Sequence, residues 1–385
     1  MPSSLPWLTA LFIATLALGT DEFVIAGVLN LVAADLNTTP GAAGQLVTVF
    51  AASFAIGAPV LAVWLNRFGH KKALLAGLLI FAAANLGCAA ATTLATLLAL
   101  RVLAGLSAAA VSTAAFSAAA KGAPDGKQGK YLSIVTAGLT VALFTGVPLG
   151  TWFGAVFSWR TTFILIGAVS LMSAIVIHLS MPELPHDETR SVTDQLAPLK
   201  NPQVARMVAA IFLCGAGGLM FYSYLAPITV GILGSEELLP FILLVVGLVG
   251  VGSALLGGNL TDQIGSRRAR ITVLGGHAAT LGILALLGCF TPPTWLFIAA
   301  VGFWALFAWA LNPPMQASTI AAAPEAPMTA VALNISGLYL GTAAAGAIGG
   351  VLLDHFGPLS IPVVGTAFLA CALLAATPPI PTAER

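Results

Sequence analysis

Short breaks rich in charge, Pro or Gly cut this chain into twelve apolar runs, each close to the roughly 20 residues that carry a helix across a bilayer. The runs cover residues 7 to 32, 42 to 65, 72 to 92, 95 to 120, 131 to 154, 160 to 181, 205 to 230, 238 to 260, 269 to 290, 293 to 312, 328 to 352 and 358 to 378. Lipid offers backbone groups no water, so such runs survive there as helices that satisfy their own N–H and C=O groups. The expected fold class is therefore an all-α membrane protein with twelve transmembrane helices. Composition agrees: 58% of the 385 residues are hydrophobic and 8% are charged, against roughly a quarter charged in soluble domains. A net charge of +1 excludes a basic nucleic-acid surface, so the lipid bilayer is the expected partner and nucleic acid is not.

Lys and Arg should favour cytoplasmic loops, which tests the span map. With the N-terminus inside, the even-numbered loops and the C-tail hold thirteen of the fifteen cations: Arg67, Lys71, Lys72, Lys121, Lys127, Lys130, Arg190, Lys200, Arg206, Arg267, Arg268, Arg270 and Arg385. Arg160 falls in an outside loop, and Arg101 lies within span 4. This alternation places both termini in the cytoplasm.

One long polar stretch, residues 182 to 201, divides the chain into nearly equal halves. The expected organisation is an N-terminal six-helix bundle (1–181), a cytoplasmic linker (182–204) and a C-terminal six-helix bundle (205–385). Internal repetition supports a duplication. The loop around Gly69 is echoed by the loop around Gly265, 196 residues on, and the glycines of residues 138 to 150 by those of 337 to 350.

Cys88, Cys214, Cys289 and Cys371 lie singly in apolar runs without a CxxC or Cys/His spacing, so no metal and no disulfide framework is expected. The first run has no basic segment before it and contains Asp21 and Glu22, which suits a first span rather than a cleaved signal peptide.

An ionised carboxylate inside a span costs at least about 2.5 kcal/mol, and intramembrane ionisable groups mark function by default. Asp21 and Glu22 are adjacent, so about 100° of helix rotation separates them. One is expected to face a wet cavity and the other a helix interface. Arg101, the one cation inside a span, needs an anionic neighbour, and either Asp21 or Glu22 could be it.

Several stretches carry a resemblance to the major facilitator superfamily. The loop signature GxLaDrxGrr is matched by residues 258 to 268, including Asp262, Gly265, Arg267 and Arg268, and in degenerate form by residues 62 to 72, where Asn66 stands at the acidic position beside Arg67 and Gly69. Arg101 and Gly105 resemble the RxxxG motif associated with proton coupling. Gly138, Gly146, Pro148 and Gly150 resemble the GxxxGPxxGG antiporter motif, with Val147 between Gly and Pro. Residues 19 to 23 and 159 to 163 resemble the twelve-helix drug:proton antiporter branch, with its sugar-efflux and chloramphenicol-efflux-like members.

The resemblance implies a proton-coupled antiporter that exports a small organic molecule (drug, sugar or metabolite) by alternating access. It also implies that the Asn66 and Asp262 loops act as latches and that Glu22, just before Phe23, is the preferred proton carrier. Energy would come from the proton gradient, with no cofactor, and the expected setting is a monomer in the inner membrane of a bacterium. A proton-coupled importer or uniporter of the same fold is the competing reading. An intramembrane enzyme lacks any HExxH, GxSxG or Walker signature.

For the substrate, polar and aromatic groups in aliphatic spans are the candidates: Gln45, Phe50, Phe54, Tyr222, Tyr224, Trp304, Trp309 and Asn334. Such a set suits an amphiphilic or weakly polar ligand. Trp7, Trp64, Trp152, Trp159 and Trp295, near span ends, read as interface anchors, and His178 and His277 as lipid-edge or packing residues, with a proton-relay role as the alternative. The Gly-rich spans 5 and 11 are expected to oppose one another as a sliding surface.

Overall fold

A computed structural model describes residues 5–65, 68–124, 127–184, 192–290 and 292–378. Asn66 and Arg67, and the linker residues Asp187, Glu188 and Arg190, lie outside the described residues. The described residues are helical with no strand: α1 (Leu5–Phe23), α2 (Ile25–Asp35), α3 (Pro40–Leu65), α4 (His70–Ala90), α5 (Leu94–Gly122), α6 (Gln128–Phe144), α7 (Gly146–Val156), α8 (Trp159–Ser180), α9 (Val192–Leu196), α10 (Pro202–Cys214), α11 (Met220–Ser223), α12 (Leu225–Leu233), α13 (Leu239–Ile264), α14 (Ser266–Leu287), α15 (Thr294–Ala310), α16 (Asn312–Ala322), α17 (Pro327–Phe356) and α18 (Ser360–Ala376). Caps mark several starts: Thr93 accepts from the Thr96 N–H before α5, and Asn201 from the Gln203 N–H before α10.

Among the described residues, ten helices are long and apolar enough to cross a membrane, and the bent pair α1 and α2 makes an eleventh. The last helix, α18, has 17 residues, one short of that length. Apolar side chains on these helices, such as Ile175, Leu179, Leu255 and Leu374, stand exposed. Water would penalise these surfaces and lipid does not.

Three helix breaks share one cause. Thr145, Tyr224 and Leu311 interrupt helical runs, and each lies three residues before a proline: Pro148, Pro227 and Pro314. A proline removes one i to i−4 bond and its ring presses on that carbonyl. The Leu311 break leaves the tenth expected run continuing to Ala322, ten residues past its expected end. The first run also differs from expectation. It bends by 53° at Val24, where Gly27 donates to the Val24 carbonyl in a tighter i to i+3 turn.

The chain forms two compact units. The first contains residues 1–38 and 49–192, and the second contains residues 39–48 and 193–385. In the first, α1 packs on α6 and α8, and α4 on α5 and α8. In the second, α10 packs on α17 and α18, α13 on α15, and α14 on α18. The echoed loops share one backbone geometry. Gly69 has φ 83° and ψ 149°, and Gly265 has φ 80° and ψ 153°, a region open in practice to glycine alone.

Candidate transport site

Just before the break between α1 and α2, Asp21 lies in the core of the first unit. Arg101 of α5 donates from Nη1 to Asp21 Oδ1 at 2.6 Å and from Nη2 to the Asp21 carbonyl at 3.3 Å. Both side chains are fully buried. The guanidinium lies 4.2 Å from the Phe50 ring centroid, a cation–π contact strengthened by desolvation. Gly105, one turn along α5, makes the approach possible, since a Cβ there would stand 2.5 Å from the Phe50 carbonyl oxygen. Asp21 Oδ2 and Arg101 Nε have no hydrogen-bond partner. A buried pair with spare bonding capacity depends on the charge of both members and is costly to break by removing one.

Glu22, the preferred carrier on resemblance, is half-buried on a different side of the helix. The partner of Arg101 is Asp21. Asn85 of α4, not singled out from the sequence, is fully buried beside Asp21 and donates to the Phe81 carbonyl at 3.0 Å. A lone amide inside an otherwise aliphatic run was the available signal.

The antiporter-like glycines form a seat for α1, the Val24 break and α2. A Cβ at Gly138 would lie 2.1 Å from Thr15 Oγ1, at Gly146 1.9 Å from Thr20 Oγ1, at Gly150 2.8 Å from Val24, and at Gly154 2.8 Å from Val28. Thr15 in turn donates to the Val135 carbonyl at 2.8 Å. In α17 of the second unit, Gly337 meets Val208 and Ile211, and Gly341 meets the Phe212 carbonyl. Gly138 and Gly146 thus pack against α1, and Gly337 and Gly341 against α10, each within its own unit. Small residues allow this because backbone approach is the main source of attraction between helices in lipid.

Other candidates fall into two groups. Gln45, in the 39–48 segment that belongs to the second unit, donates to the Gly346 carbonyl at 3.4 Å, and the Tyr224 hydroxyl donates to the same carbonyl at 2.5 Å. Nearby, Asp354 accepts from Thr39 Oγ1 at 2.7 Å and from the Gly41 N–H at 3.1 Å. Tyr222, Trp304 and Trp309 form an aromatic cluster: Trp304 and Trp309 have centroids 5.6 Å apart, Tyr222 and Trp309 also 5.6 Å, and Phe221 lies 4.8 Å from Trp304. Asn334 is set apart, donating to Thr319 Oγ1 at 3.1 Å, and Phe54 is buried in the first unit. Asp262 and Arg268 are exposed, and Arg267 donates to the Thr377 carbonyl. Two expected interface anchors are instead interior. Trp7 packs on Tyr131, and Trp159 donates to Asp35 at 3.2 Å, whereas Trp64, Trp152 and Trp295 are exposed.

An all-α chain of lipid-length helices, with a desolvated ion pair between two of them, has the build of a membrane transporter. The chain belongs to the major facilitator superfamily, whose family model matches residues 11–326. It is 30% identical to the inner membrane transport protein YdhP of Escherichia coli (strain K12) over 95% of this chain and 94% of that protein. It is 31% identical to a chloramphenicol resistance protein of Streptomyces lividans over 96% and 94%. It is 29% identical to the uncharacterized MFS-type transporter YbcL of Bacillus subtilis (strain 168) over 95% and 93%. Its fold is similar to the inward-facing, unoccupied crystal structure of a bacterial homolog of the human lysosomal transporter Spinster, with TM-score 0.75 at 16% identity, covering 97% of this chain and 98% of that one. Members of the superfamily are transporters and not enzymes. They generally need no cofactor, and the described residues contain no group of three or more His, Cys, Asp or Glu arranged to hold a metal.

Proposed function

We propose that this protein is a proton-coupled antiporter that exports a small, weakly polar organic molecule by alternating access. In this reading it acts as a monomer with twelve spans in two six-helix bundles, 1–181 and 205–385, with both termini in the cytoplasm of a bacterium. The observation that carries it is the Asp21–Arg101 pair, buried between α1 and α5.

Protonating Asp21 removes one charge and leaves a buried guanidinium without its partner. That state is costly in a low-dielectric interior, so it is relieved by moving Arg101 toward water or toward an anionic or polar substrate group. Returning Arg101 to Asp21 expels the proton. The glycine seat lets α1 shift against α6 and α7 without displacing side chains. On this geometry Asp21 is the proton carrier and Glu22 a neighbour that tunes it. Asp262, Gly265, Arg267 and Arg268, with Asn66, Arg67 and Gly69, act as loop latches. Gln45, Phe50, Phe54, Tyr222, Tyr224, Trp304, Trp309 and Asn334 are the substrate-side candidates.

The similarity to a chloramphenicol resistance protein makes chloramphenicol the first solute to test. Radiolabelled chloramphenicol counterflow in proteoliposomes of known orientation should follow an imposed pH gradient, and Asp21→Asn should abolish that dependence. Flux that ignores the gradient in both directions would sink the antiport reading. Gradient-driven uptake alongside protons would replace export with import.

A further inference from the structure

At the heart of the second unit, Trp304 of α15 is ringed by Phe221, Tyr222, Trp309 and His277, with the His277 centroid 6.0 Å away. Trp304 is fully buried and His277 nearly so. Neither ring nitrogen of His277 has a hydrogen-bond partner, and neither has the Trp304 indole N–H. Three unsatisfied polar atoms in one apolar cluster are expensive, because lipid and packed helices supply no water. The cluster is also reached by the one π-helical turn among the described residues, Gly215–Leu219. Its Gly218 lies against the imidazole, where a Cβ would stand 2.5 Å from Cε1. Such turns occur mostly where a helix has been deformed for function.

We propose that His277 and Trp304 form a ligand subsite that takes a neutral, planar aromatic molecule bearing a hydroxyl or primary amide. The proposal rests on the reading of Tyr222, Trp304 and Trp309 as substrate-facing. The surrounding rings supply stacking and edge contacts for an aromatic body. The indole offers a donor, and a neutral imidazole offers one donor and one acceptor. A hydroxyl or amide, which both donates and accepts, satisfies the pair, whereas an ether or an alkyl group does not. A charged group is excluded because the cluster holds no carboxylate, Lys or Arg to meet it. Half-buried Trp309 forms the rim, and the glycine-rich π turn is the element whose movement admits the ligand.

Equilibrium dialysis of the full chain in lipid nanodiscs, with empty discs subtracted, can compare 2-naphthol with 2-methylnaphthalene. These probes match in shape and differ in the hydroxyl. The wild type should bind 2-naphthol about tenfold more tightly, the size of one hydrogen bond to an otherwise unsatisfied group. His277→Leu should reduce that preference to below about threefold without weakening 2-methylnaphthalene, and His277→Gln should retain it. Trp304→Phe, which keeps an aromatic ring and loses the N–H, gives an independent reading if His277→Leu does not fold. An unchanged preference in both folded variants, or no binding of either probe above empty discs, overturns the subsite. The assay uses no gradient, so hydroxyl-selective binding without proton-driven flux would instead count against the antiporter reading alone.

Discussion

Gly146 stands so close to Thr20 that a Cβ added to it would lie 1.9 Å from the Thr20 hydroxyl oxygen. The Thr20 hydroxyl is itself committed, donating to the Leu16 carbonyl at 2.7 Å, so it cannot simply turn away. Gly146→Ala should destabilise the first unit by about 1–3 kcal/mol, the usual cost of overpacking. Reversible SDS unfolding would measure this. Gly129, which meets nothing within 4 Å, is the control, and Gly129→Ala should be neutral or slightly stabilising in α6.

Removing either member of the buried pair should be worse than removing both. Asp21→Asn or Arg101→Gln alone is expected to cost about 3–5 kcal/mol, because each leaves a buried group uncompensated. The double variant should recover much of that stability and still show no proton-dependent flux. Equal destabilisation in the singles and the double would show that Asp21 and Arg101 are not energetically coupled.

The adjacent carboxylates separate by function in the same assay. Glu22→Gln should retain pH-gradient-driven flux with altered rate, while Asp21→Asn should lose the gradient dependence. The reverse pattern assigns the proton to Glu22.

Asp354 should matter as a cap. Its carboxylate receives the Thr39 hydroxyl and the Gly41 N–H at the positive end of α3. Asp354→Ala should cost about 1 kcal/mol of stability. It should also raise backbone hydrogen exchange over the first turn of α3, read by mass spectrometry of the intact protein.

By contrast, the Arg160–Asp35 pair is half-exposed, with side chains 30% and 44% accessible. Asp35→Asn should change stability by about 1 kcal/mol or less, with a smaller effect in high salt. A loss several times larger would mean that the Trp159 hydrogen bond to Asp35 dominates the site.

Much of this was legible in the chain. Lipid imposes helices, so apolar runs and cation placement were enough to find the long segments and the loop echo, and Gly69 and Gly265 adopt the same glycine-restricted geometry. Arg101 announced that it needed an anion, because a lone guanidinium in a span is too costly. Which of two adjacent carboxylates met it was not readable, since that depends on the rotation of α1 as it bends at Val24. Asn85 and His277 were passed over or read as packing because a single polar residue in a span looks the same whether or not its partners exist. Trp7 and Trp159 lie near span ends along the chain, yet both are buried, in contact with Tyr131 and Asp35, which are far away in sequence.

The sequence by itself determined that this chain is helical and membrane-bound, because those properties follow from the local energetics of apolar runs and charge placement. Only the tertiary structure decided that Asp21 answers Arg101, that the glycines of α6 and α7 seat α1 and α2, and that His277 and Trp304 share a cluster with unmet hydrogen-bonding capacity. These are contacts between residues tens to more than a hundred positions apart. They depend on helix rotation and on proline or π-turn bends, which no periodicity within one helix encodes.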